Sequence, residues 1–398
     1  MKTTRRRFLQ HSALATAAVA AAPFLIAGRP RKPVGVGIIG TGDRGSGLLQ
    51  LTREVDGLDV VAVCDLIDFR LEAARQASGA TAYTDYRQLL EDKKVEAVYI
   101  ATPFGLHGEM TLAALDAGKH VYCEKTMIRG IGETNAVLRA ARARPDQIFQ
   151  TGHQYHSSSL YRELYHYVRQ DYFGPITGVH CQWNRNHSWR RAVPVDRPEL
   201  ERLINWRMYR AHSGGMIAEL MSHQIDFVNW ISGSRPARIS GQGGIDYYKD
   251  GRETFDNVHL QMEYANGWDA TFTCTTINNF GDYEIRILGK KATAIVNYTT
   301  AKVYVQSTER AELGMVDGVS GATLAAWQAG EGVPVEADGQ RPTLQALKQF
   351  QYAIQTGEQP ESGVQTGALT AKCVAIGLDA ARAGDTRRWE RYAALALS

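Results

Sequence analysis

A glycine-rich turn placed directly between a strand and a helix is the feature that most constrains this chain. Residues 34–39, Val-Gly-Val-Gly-Ile-Ile, predict a buried parallel strand, and Gly-Thr-Gly-Asp-Arg-Gly follows at once. A helix is expected from Gly45 to about Glu54. A strand, a glycine turn and a helix in this order favour a parallel α/β sheet in which the amino terminus of the helix faces a ligand crevice.

Strands and helices are predicted to alternate as far as about Gln150. The alternation is typical of a doubly wound parallel sheet with right-handed crossovers. We therefore predict an α/β chain whose first domain spans residues 34–150. Its further strands are expected at 60–64, 95–101 and 120–123, and its helices at 69–78, 108–117 and 131–144.

A strand-rich pattern follows in residues 151–398, which we predict to form a second, α+β domain. Apolar and polar residues alternate at 268–274, as in a sheet with one solvent-exposed face. A chain of 398 residues is long enough for two domains that each have a core. The predicted strands are 178–183, 258–264, 268–276, 283–288 and 292–298, and the predicted helices are 157–171, 214–231, 344–356 and 366–382.

Charge and cysteine content argue against several classes of function. The formal net charge is +3 and the 45 basic residues are spread along the chain, so there is no electrostatic case for a nucleic-acid partner. The five cysteines lie far apart without a Cys-x-x-Cys pair, which argues against a disulfide framework and a structural zinc site. Each cysteine is expected to be a small buried residue.

The first thirty residues have the composition of an export signal. Thr-Arg-Arg-Arg-Phe-Leu-Gln at 4–10 precedes a run of small and apolar residues at 12–27. We predict a signal peptide at 1–30 that looks like the twin-arginine type, and hence a periplasmic protein. The alternative is a membrane anchor, but so short an Ala-rich run would span a bilayer poorly, and we expect no stable span after signal removal.

The glycine turn is predicted to bind a dinucleotide. Gly40 permits the tight turn, Gly42 lets the backbone approach a pyrophosphate, and Gly45 allows close packing of helix on strand. Asp65, twenty positions after Gly45, would accept hydrogen bonds from the adenosine ribose, which favours NAD over NADP. The alternative is a glycine-rich turn without a nucleotide. The predicted cofactor-binding residues of this turn are Gly40, Thr41, Gly42, Asp43, Arg44 and Gly45.

Polar residues at the ends of the next two strands are expected to line the same crevice, because ligands bind at the carboxyl edge of such sheets. Lys125 could donate a hydrogen bond to a substrate hydroxyl or carbonyl and help to move its proton. It could instead be a surface residue that pairs with Glu124. The cofactor set is therefore extended by Thr102, Pro103, His107, Glu124 and Lys125.

The helix predicted at 214–231 carries the candidate base. Glu219, His223 and Asp226 are spaced i, i+4 and i+7 and are expected on one helix face. His223 suits proton removal from a sugar hydroxyl, since its ordinary pKa is near neutrality. A metal held by Glu219 and His223 and a structural pairing of His223 with Asp226 are the alternatives. We predict catalytic roles for Lys125, His223 and Glu219, and no metal.

Two further segments are expected to line a sugar site, because aromatic faces and polar side chains together suit a carbohydrate. His153 and Tyr155 follow the last stretch of the first domain, and Asn186, Trp189 and Arg190 lie in an aromatic and basic run at 183–191. We predict that these residues bind substrate together with His223. The run at 183–191 could instead be a packed loop with its own salt bridges.

Several stretches resemble the Gfo/Idh/MocA oxidoreductases, named for glucose-fructose oxidoreductase and inositol dehydrogenase. They are GIIGTGDRG, VVAVCD, AVYIATPFGLHGEMTLAALDAGKHVYCEKTM and GGMIAELMSHQIDFVNWISG. The resemblance implies a Rossmann domain followed by a domain with a large open, mostly antiparallel sheet, and a homodimer or homotetramer formed through that sheet. It also implies a catalytic or substrate-orienting His223. The family usually has Glu-Lys-Pro where Thr126 follows Lys125 here, Asn where Phe104 stands, and Asp where Glu219 stands.

An exported NAD enzyme must keep its cofactor, because free NAD is scarce outside the cytoplasm. We therefore predict a sugar or glycoside oxidoreductase with tightly bound, internally recycled NAD, and a 3-keto sugar is one product of such a reaction. Two alternatives stay open. One is an NAD-dependent, redox-assisted glycoside hydrolase or lyase, and the other is a sugar-binding protein without catalysis.

Overall fold

Residues 32–306 and 332–394 are described by the structure, a computed structural model. The signal peptide predicted at 1–30 lies outside the described residues. Contacts divide the chain after Pro33, and the fold below is that of the unit that begins at Val34. No helix within the described residues is long and apolar enough to cross a membrane.

A six-stranded parallel sheet forms the first domain, as predicted. The strand order is β3-β2-β1-β4-β5-β6, so the order reverses between β1 and β4 and creates the crevice of a doubly wound fold. The strands are β1 (Val34–Ile39), β2 (Leu58–Cys64), β3 (Thr81–Tyr83), β4 (Ala97–Ile100), β5 (His120–Cys123) and β6 (Phe149–Thr151). The helices are α1 (Asp43–Thr52), α2 (Asp68–Ser78), α3 (Tyr86–Glu91), α4 (His107–Asp116) and α5 (Ile131–Arg142).

The second domain is built on a nine-stranded sheet of order β14-β13-β12-β11-β7-β10-β9-β8-β15. Strands β7 and β10 are parallel, and the other paired neighbours in the described part of the chain are antiparallel. The strands are β7 (Ile176–Asn184), β8 (Pro236–Gly244), β9 (Asn257–Tyr264), β10 (Asp269–Thr275), β11 (Tyr283–Gly289), β12 (Ala292–Asn297), β13 (Thr300–Val305), β14 (Val333–Pro334) and β15 (Thr386–Arg388). The helices are α6 (Ser159–Arg169), α7 (Glu201–Ile204), α8 (Ser222–Ser232), α9 (Pro342–Thr356), α10 (Val364–Ala383) and α11 (Trp389–Ala394).

Helix α9 packs on the first sheet, although it belongs to the range predicted as the second domain. Its Leu347 and Phe350 are fully buried in one apolar cluster with Ile38 of β1 and Tyr99 of β4. The amphipathic pattern of 344–356 showed that this helix has a buried face, but the pattern carries no information on which sheet receives that face.

The helix predicted at 214–231 is not a regular α-helix throughout. Ile217–Met221 forms a π-helical turn, and α8 begins at Ser222. The extra residue of a π turn shifts the positions that share a helix face. The predicted i, i+4, i+7 alignment of Glu219, His223 and Asp226 therefore does not hold as stated, and the three side chains are placed by tertiary contacts described below.

Candidate active site

The glycine turn closes tightly against the end of β4. Gly40 has a φ of +90°, and a Cβ atom there would lie 2.8 Å from the Ala101 backbone. A Cβ atom on Gly45 would lie 1.8 Å from the Gly40 carbonyl oxygen, so close packing of α1 on the turn requires glycine. Gly42 differs, since the nearest atom to its hypothetical Cβ is the Arg70 guanidinium at 3.6 Å. The open side of the turn is thus at Gly42.

This open side lines a cleft of about 400 Å³ along the carboxyl edge of the sheet. Asp65 lies in it, at the end of β2. Its Oδ2 accepts hydrogen bonds from the Thr41 amide (2.8 Å) and hydroxyl (3.1 Å), and its Oδ1 accepts one from the Ile67 amide (2.9 Å). A carboxylate has about four acceptor positions, so Asp65 keeps capacity for a ribose hydroxyl.

The cleft fits NAD. A nucleotide needs backbone access at Gly42, an acceptor at Asp65 and further polar partners near the nicotinamide end. Thr102 can supply such a polar partner. Its hydroxyl is buried and has no hydrogen-bond partner among the described residues, so it is free to bond to the nucleotide. Of the residues predicted to bind the cofactor, those lining the cleft are Gly40, Gly42, Asp43, Arg44, Asp65, Thr102 and Pro103.

The remaining predicted cofactor residues support the walls of this site. Thr41 anchors Asp65, as described above. His107 is buried, and its two ring nitrogens lie 3.0 Å from the carbonyl oxygens of Thr102 and Thr126, so it links the ends of β4 and β5. The Glu124 carboxylate accepts a 2.6 Å hydrogen bond from Nε of Arg44. Their direct contact with NAD stays a prediction.

Lys125 reaches from the end of β5 to the second domain. Its Nζ donates a 2.9 Å hydrogen bond to the Glu219 carbonyl oxygen and lies 3.6 Å from the Glu219 carboxylate. The peptide bond between Lys125 and Thr126 is cis. The ammonium group thus pairs with Glu219 across the domains, whereas the carboxylate of Glu124 contacts Arg44, so the surface-pair alternative does not describe this lysine.

Glu219 is a buried carboxylate between two cations. Its Oε2 also accepts a 3.1 Å hydrogen bond from Nε of Arg207. Burial alone would raise the pKa of Glu219, but the charges of Lys125 and Arg207 outweigh burial and hold that pKa below its usual value. Glu219 is therefore ionised near neutral pH and fixes the position of the Lys125 ammonium.

His223 is buried within a shell of aromatic rings. The ring centroids of Tyr155, Trp183 and His153 lie 5.4, 5.7 and 6.0 Å from that of His223. Burial, followed by the charge of Lys125, lowers the pKa of His223 well below its usual value. The imidazole is therefore neutral near pH 7 and able to accept a proton. Its Nδ1 is buried and has no hydrogen-bond partner in the part of the chain that the structure describes.

Asp226 belongs to a separate buried cluster behind this base. Its carboxylate lies 3.3 Å from Nδ1 of His153 and 2.9 Å from Nε2 of His156, and it accepts a 3.0 Å hydrogen bond from the Thr370 hydroxyl. Burial opposes the charge of Asp226, but the two histidines outweigh it, so the pKa of Asp226 is lowered. His156 was not singled out from the sequence, although it stands three positions after His153 in the same short segment.

The predicted substrate residues lie in two places. His153 and Tyr155 surround His223. Asn186 is exposed and Trp189 is half-buried, while Arg190 forms ion pairs with Glu201 and, at 3.3 Å, with Asp250. These ion pairs agree with the packed-loop alternative for Arg190, and substrate binding by the three residues stays a prediction. No group of three or more His, Cys, Asp or Glu residues able to hold a metal ion occurs in the described ranges.

Comparison with known proteins gives matches to both domains. Residues 34–153 match the Gfo/Idh/MocA oxidoreductase family profile, described as an NAD-binding Rossmann fold, and residues 161–295 match the Gfo/Idh/MocA C-terminal domain. The chain is 29% identical to inositol 2-dehydrogenase of Salmonella typhimurium over 200 residues, which are 50% of this chain and 53% of that protein. It is 28% identical to 2,7-anhydro-N-acetylneuraminate hydratase of Mediterraneibacter gnavus over 264 residues, 65% of this chain and 66% of that protein.

A solved structure of levoglucosan dehydrogenase in complex with NADH and levoglucosan has a similar fold. The TM-score is 0.73, with 19% sequence identity over 90% of this chain and 99% of that chain. The match to the two curated relatives spans 53% and 66% of their length. The chain thus consists of an NAD-binding Rossmann domain followed by a C-terminal domain with a mostly antiparallel sheet.

Proposed function

Because the chain belongs to the Gfo/Idh/MocA family of oxidoreductases, we propose that it oxidises a hydroxyl group of a sugar or glycoside with a resident NAD. The observation that carries this proposal is that a neutral buried base, His223, lies within electrostatic reach of a cation, Lys125, which Glu219 holds at the carboxyl edge of the NAD-binding sheet. Alcohol oxidation needs a base for the hydroxyl proton and a donor that steadies the oxygen. Those are the two roles that these side chains can take.

The reaction divides into two transfers. NAD supplies, when bound, the acceptor for the hydride that leaves the carbinol carbon. His223 takes the proton of the same hydroxyl, so that the loss of a hydride and a proton converts the alcohol into a carbonyl group. Lys125 donates a hydrogen bond to the oxygen as its charge develops, and Glu219 holds the ammonium group in place.

Export and retention of the cofactor complete the proposal. The basic and apolar composition of residues 4–27 supports a twin-arginine signal and a periplasmic location. A periplasmic enzyme would have to carry NAD with it and recycle it in place, reducing a second carbonyl compound in each cycle. We also expect a homodimer or homotetramer that buries the half-exposed face of the large sheet, where side chains alternate between buried and accessible along β9 and β10.

One relative favours a second candidate function. The hydratase of Mediterraneibacter gnavus is named for a reaction without net oxidation. An enzyme of that kind on this fold would oxidise a glycoside, eliminate or hydrate at the activated neighbouring carbon, and then return the hydride. In this chain His153, next to His223, is a second imidazole for the additional proton transfer.

Purified protein mixed with a panel of free sugars and glycosides distinguishes these functions. Lasting absorbance of reduced nicotinamide identifies a dehydrogenase, whereas turnover of an aryl glycoside without net reduction identifies the redox-assisted glycosidase. Tight sugar binding without turnover would identify a sugar-binding protein and overturn both. The variants Lys125→Ala and His223→Ala are expected to lose activity while NAD stays bound, and full activity in both variants would contradict the site described here.

A further inference from the structure

A segment of the second domain lies over the cofactor cleft. This overlying segment, residues 189–212, leaves the sheet after β7 and returns before the π turn. Nη2 of Arg191 lies 2.6 Å from the Asp43 carboxylate in the glycine turn, and Nη1 of Arg197 lies 3.1 Å from that of Asp68. Farther along, the carbonyl oxygen of His212 accepts a 3.1 Å hydrogen bond from the Gly105 amide.

These contacts span three neighbouring parallel strands. Asp68 lies just after β2, Asp43 just after β1 and Gly105 just after β4, and these three strands are neighbours in the sheet. An extended dinucleotide lies along this same carboxyl edge, across the point where the strand order reverses. The overlying segment thus covers the path that NAD follows rather than a single end of it.

Apolar contacts reinforce the polar ones. Leu200 and Ile204 of the overlying segment are buried together with Ile67, which follows Asp65, in a small cluster separate from the main cores. This cluster lies beside the residue expected to bind the adenosine ribose. It joins the two domains at the adenosine end of the cleft by burial of side chains, a contact that ionic screening does not weaken, unlike exposed ion pairs.

The overlying segment is braced internally. The Asn205 side chain accepts a 2.7 Å hydrogen bond from the Arg191 amide and donates one of 3.1 Å to the Arg191 carbonyl oxygen. These bonds join the beginning of the overlying segment to its later part. Arg190 ties it to Asp250 of the second domain. Its own side chains also face the cleft: Arg191, Leu203, Ile204, Trp206 and Arg207 line it opposite Gly42 and Asp65.

We infer that the overlying segment is the second wall of the NAD site, and that NAD leaves only when this segment separates from Asp43, Ile67 and Asp68. The sequence assigned cofactor binding to the first domain alone. The inference deepens the proposed function and rests on it in one respect, namely that NAD stays resident through many turnovers. The second wall is the physical reason for that retention. The rate of cofactor dissociation is then limited by separation of the overlying segment from the first domain, which breaks both ion pairs and apolar contacts.

Two variants test this inference without touching the reacting groups. Leu200→Ser with Ile204→Ser removes the apolar contact, and Arg191→Ala with Arg197→Ala removes the two exposed ion pairs. The matched control is Arg238→Ala, which breaks an exposed ion pair with Glu263 on the second sheet. Each protein is loaded with NADH, and the change in NADH fluorescence as it leaves the protein is followed after addition of excess NAD.

We expect the serine variant to release NADH at least roughly 10-fold faster than the wild type, since two buried aliphatic side chains are lost. The double alanine variant should release it about 3-fold faster, because exposed ion pairs contribute little each. Arg238→Ala should match the wild type. If the serine variant does not fold, the double alanine variant alone decides, and wild-type release rates in it would overturn the inference.

The outcome separates this inference from the proposed function. Faster release in the variants, from a wild type that oxidises no sugar or glycoside, would retain the second wall and overturn the proposed function. Sugar oxidation with release rates equal in all variants would retain the proposed function and overturn the second wall.

Discussion

At the scale of single residues, the candidate site places a neutral base beside a cation that is itself held by a carboxylate. Burial keeps His223 uncharged, and Lys125, then His153 and Arg44, act in the same direction on its pKa. Glu219 prevents an uncompensated ammonium group next to the base, since it is ionised and 3.6 Å from Nζ of Lys125. The sequence predicted catalytic roles for Lys125, His223 and Glu219, but the bridge from Lys125 to Glu219 across the domains depends on the fold.

The lowered pKa of His223 determines the acid limb of the pH profile. A base works only when deprotonated, so activity is lost as the pH falls through its pKa. The ordinary pKa of histidine is about 6.5. We expect kcat/KM to stay constant as the pH is lowered past this value, and to fall only at a clearly lower pH. In Lys125→Met, residual activity should show an acid limb at higher pH, because a nearby positive charge is gone. A wild-type acid limb at or above the ordinary value would contradict the assignment of His223 as the base.

The buried Asp226 cluster makes a stability prediction. Asp226→Asn removes the buried charge that lies 3.3 Å from His153 and 2.9 Å from His156 and that accepts a hydrogen bond from the Thr370 hydroxyl, and should cost about 3 kcal/mol in the free energy of unfolding. Chemical denaturation measures this loss. The control is Asp116→Asn, which removes one partner of an exposed ion pair with Arg144 and should change stability little. Equal stability of the two variants would show that the cluster contributes nothing to the fold.

At the scale of elements, the glycine turn and the first sheet were predictable because buried parallel strands are continuous apolar runs that enter their turns abruptly. Strands β3 and β6 have three residues each, too few for a pattern. The π turn at Ile217–Met221 was missed, because this turn and the helix after it are buried on all sides, so no polar face marks the shift in phase. The overlying segment was missed as a cofactor wall, since its short helical turns carry no nucleotide signature.

Helix α1 offers a matched pair of substitutions that tests the turn. Gly45→Ala should destabilise the protein by about 2 kcal/mol and weaken NAD binding, because the new Cβ would lie 1.8 Å from the Gly40 carbonyl oxygen. Gly47→Ala, in the same helix, has no atom within 4 Å of its Cβ and should stabilise by about 0.5–1 kcal/mol. Melting temperature and NAD content of the two variants measure both effects. A stable, NAD-loaded Gly45→Ala protein would contradict the turn geometry.

At the scale of the whole molecule, five histidines in the described ranges have lowered pKa values, and burial is the largest cause in each: His107, His120, His153, His187 and His223. Each is expected to have a pKa near 6.5 when unfolded, so unfolding below about that pH takes up protons. Stability is therefore full above about pH 6.5 and falls as the pH drops through the folded pKa values. Glu219 and Asp226, whose pKa values are also lowered, add losses of the same sign at lower pH.

We expect the free energy of unfolding to decrease by a few kcal/mol, on the order of 1 per titrating histidine, between pH 7 and pH 5. Denaturant unfolding at successive pH values measures it. A stability that is constant or rises over this range would contradict the burial of these histidines. The fold class itself was predicted from the alternation of elements, whereas the approach of Asp226 to His153 and His156 was not, because Asp226 is distant from them in sequence and meets them only in the fold.

The position of α9 on the first sheet has a consequence for biosynthesis. Phe350 and Leu347 complete an apolar surface that residues 34–151 build first, so a nascent chain exposes this surface until about residue 356 has left the ribosome. At about 5–20 residues per second, the roughly 200 intervening residues correspond to a delay of roughly 10–40 s. During that interval the nucleotide-binding half is an incomplete folding unit, and a chaperone that shields apolar surface would be engaged before the cofactor is.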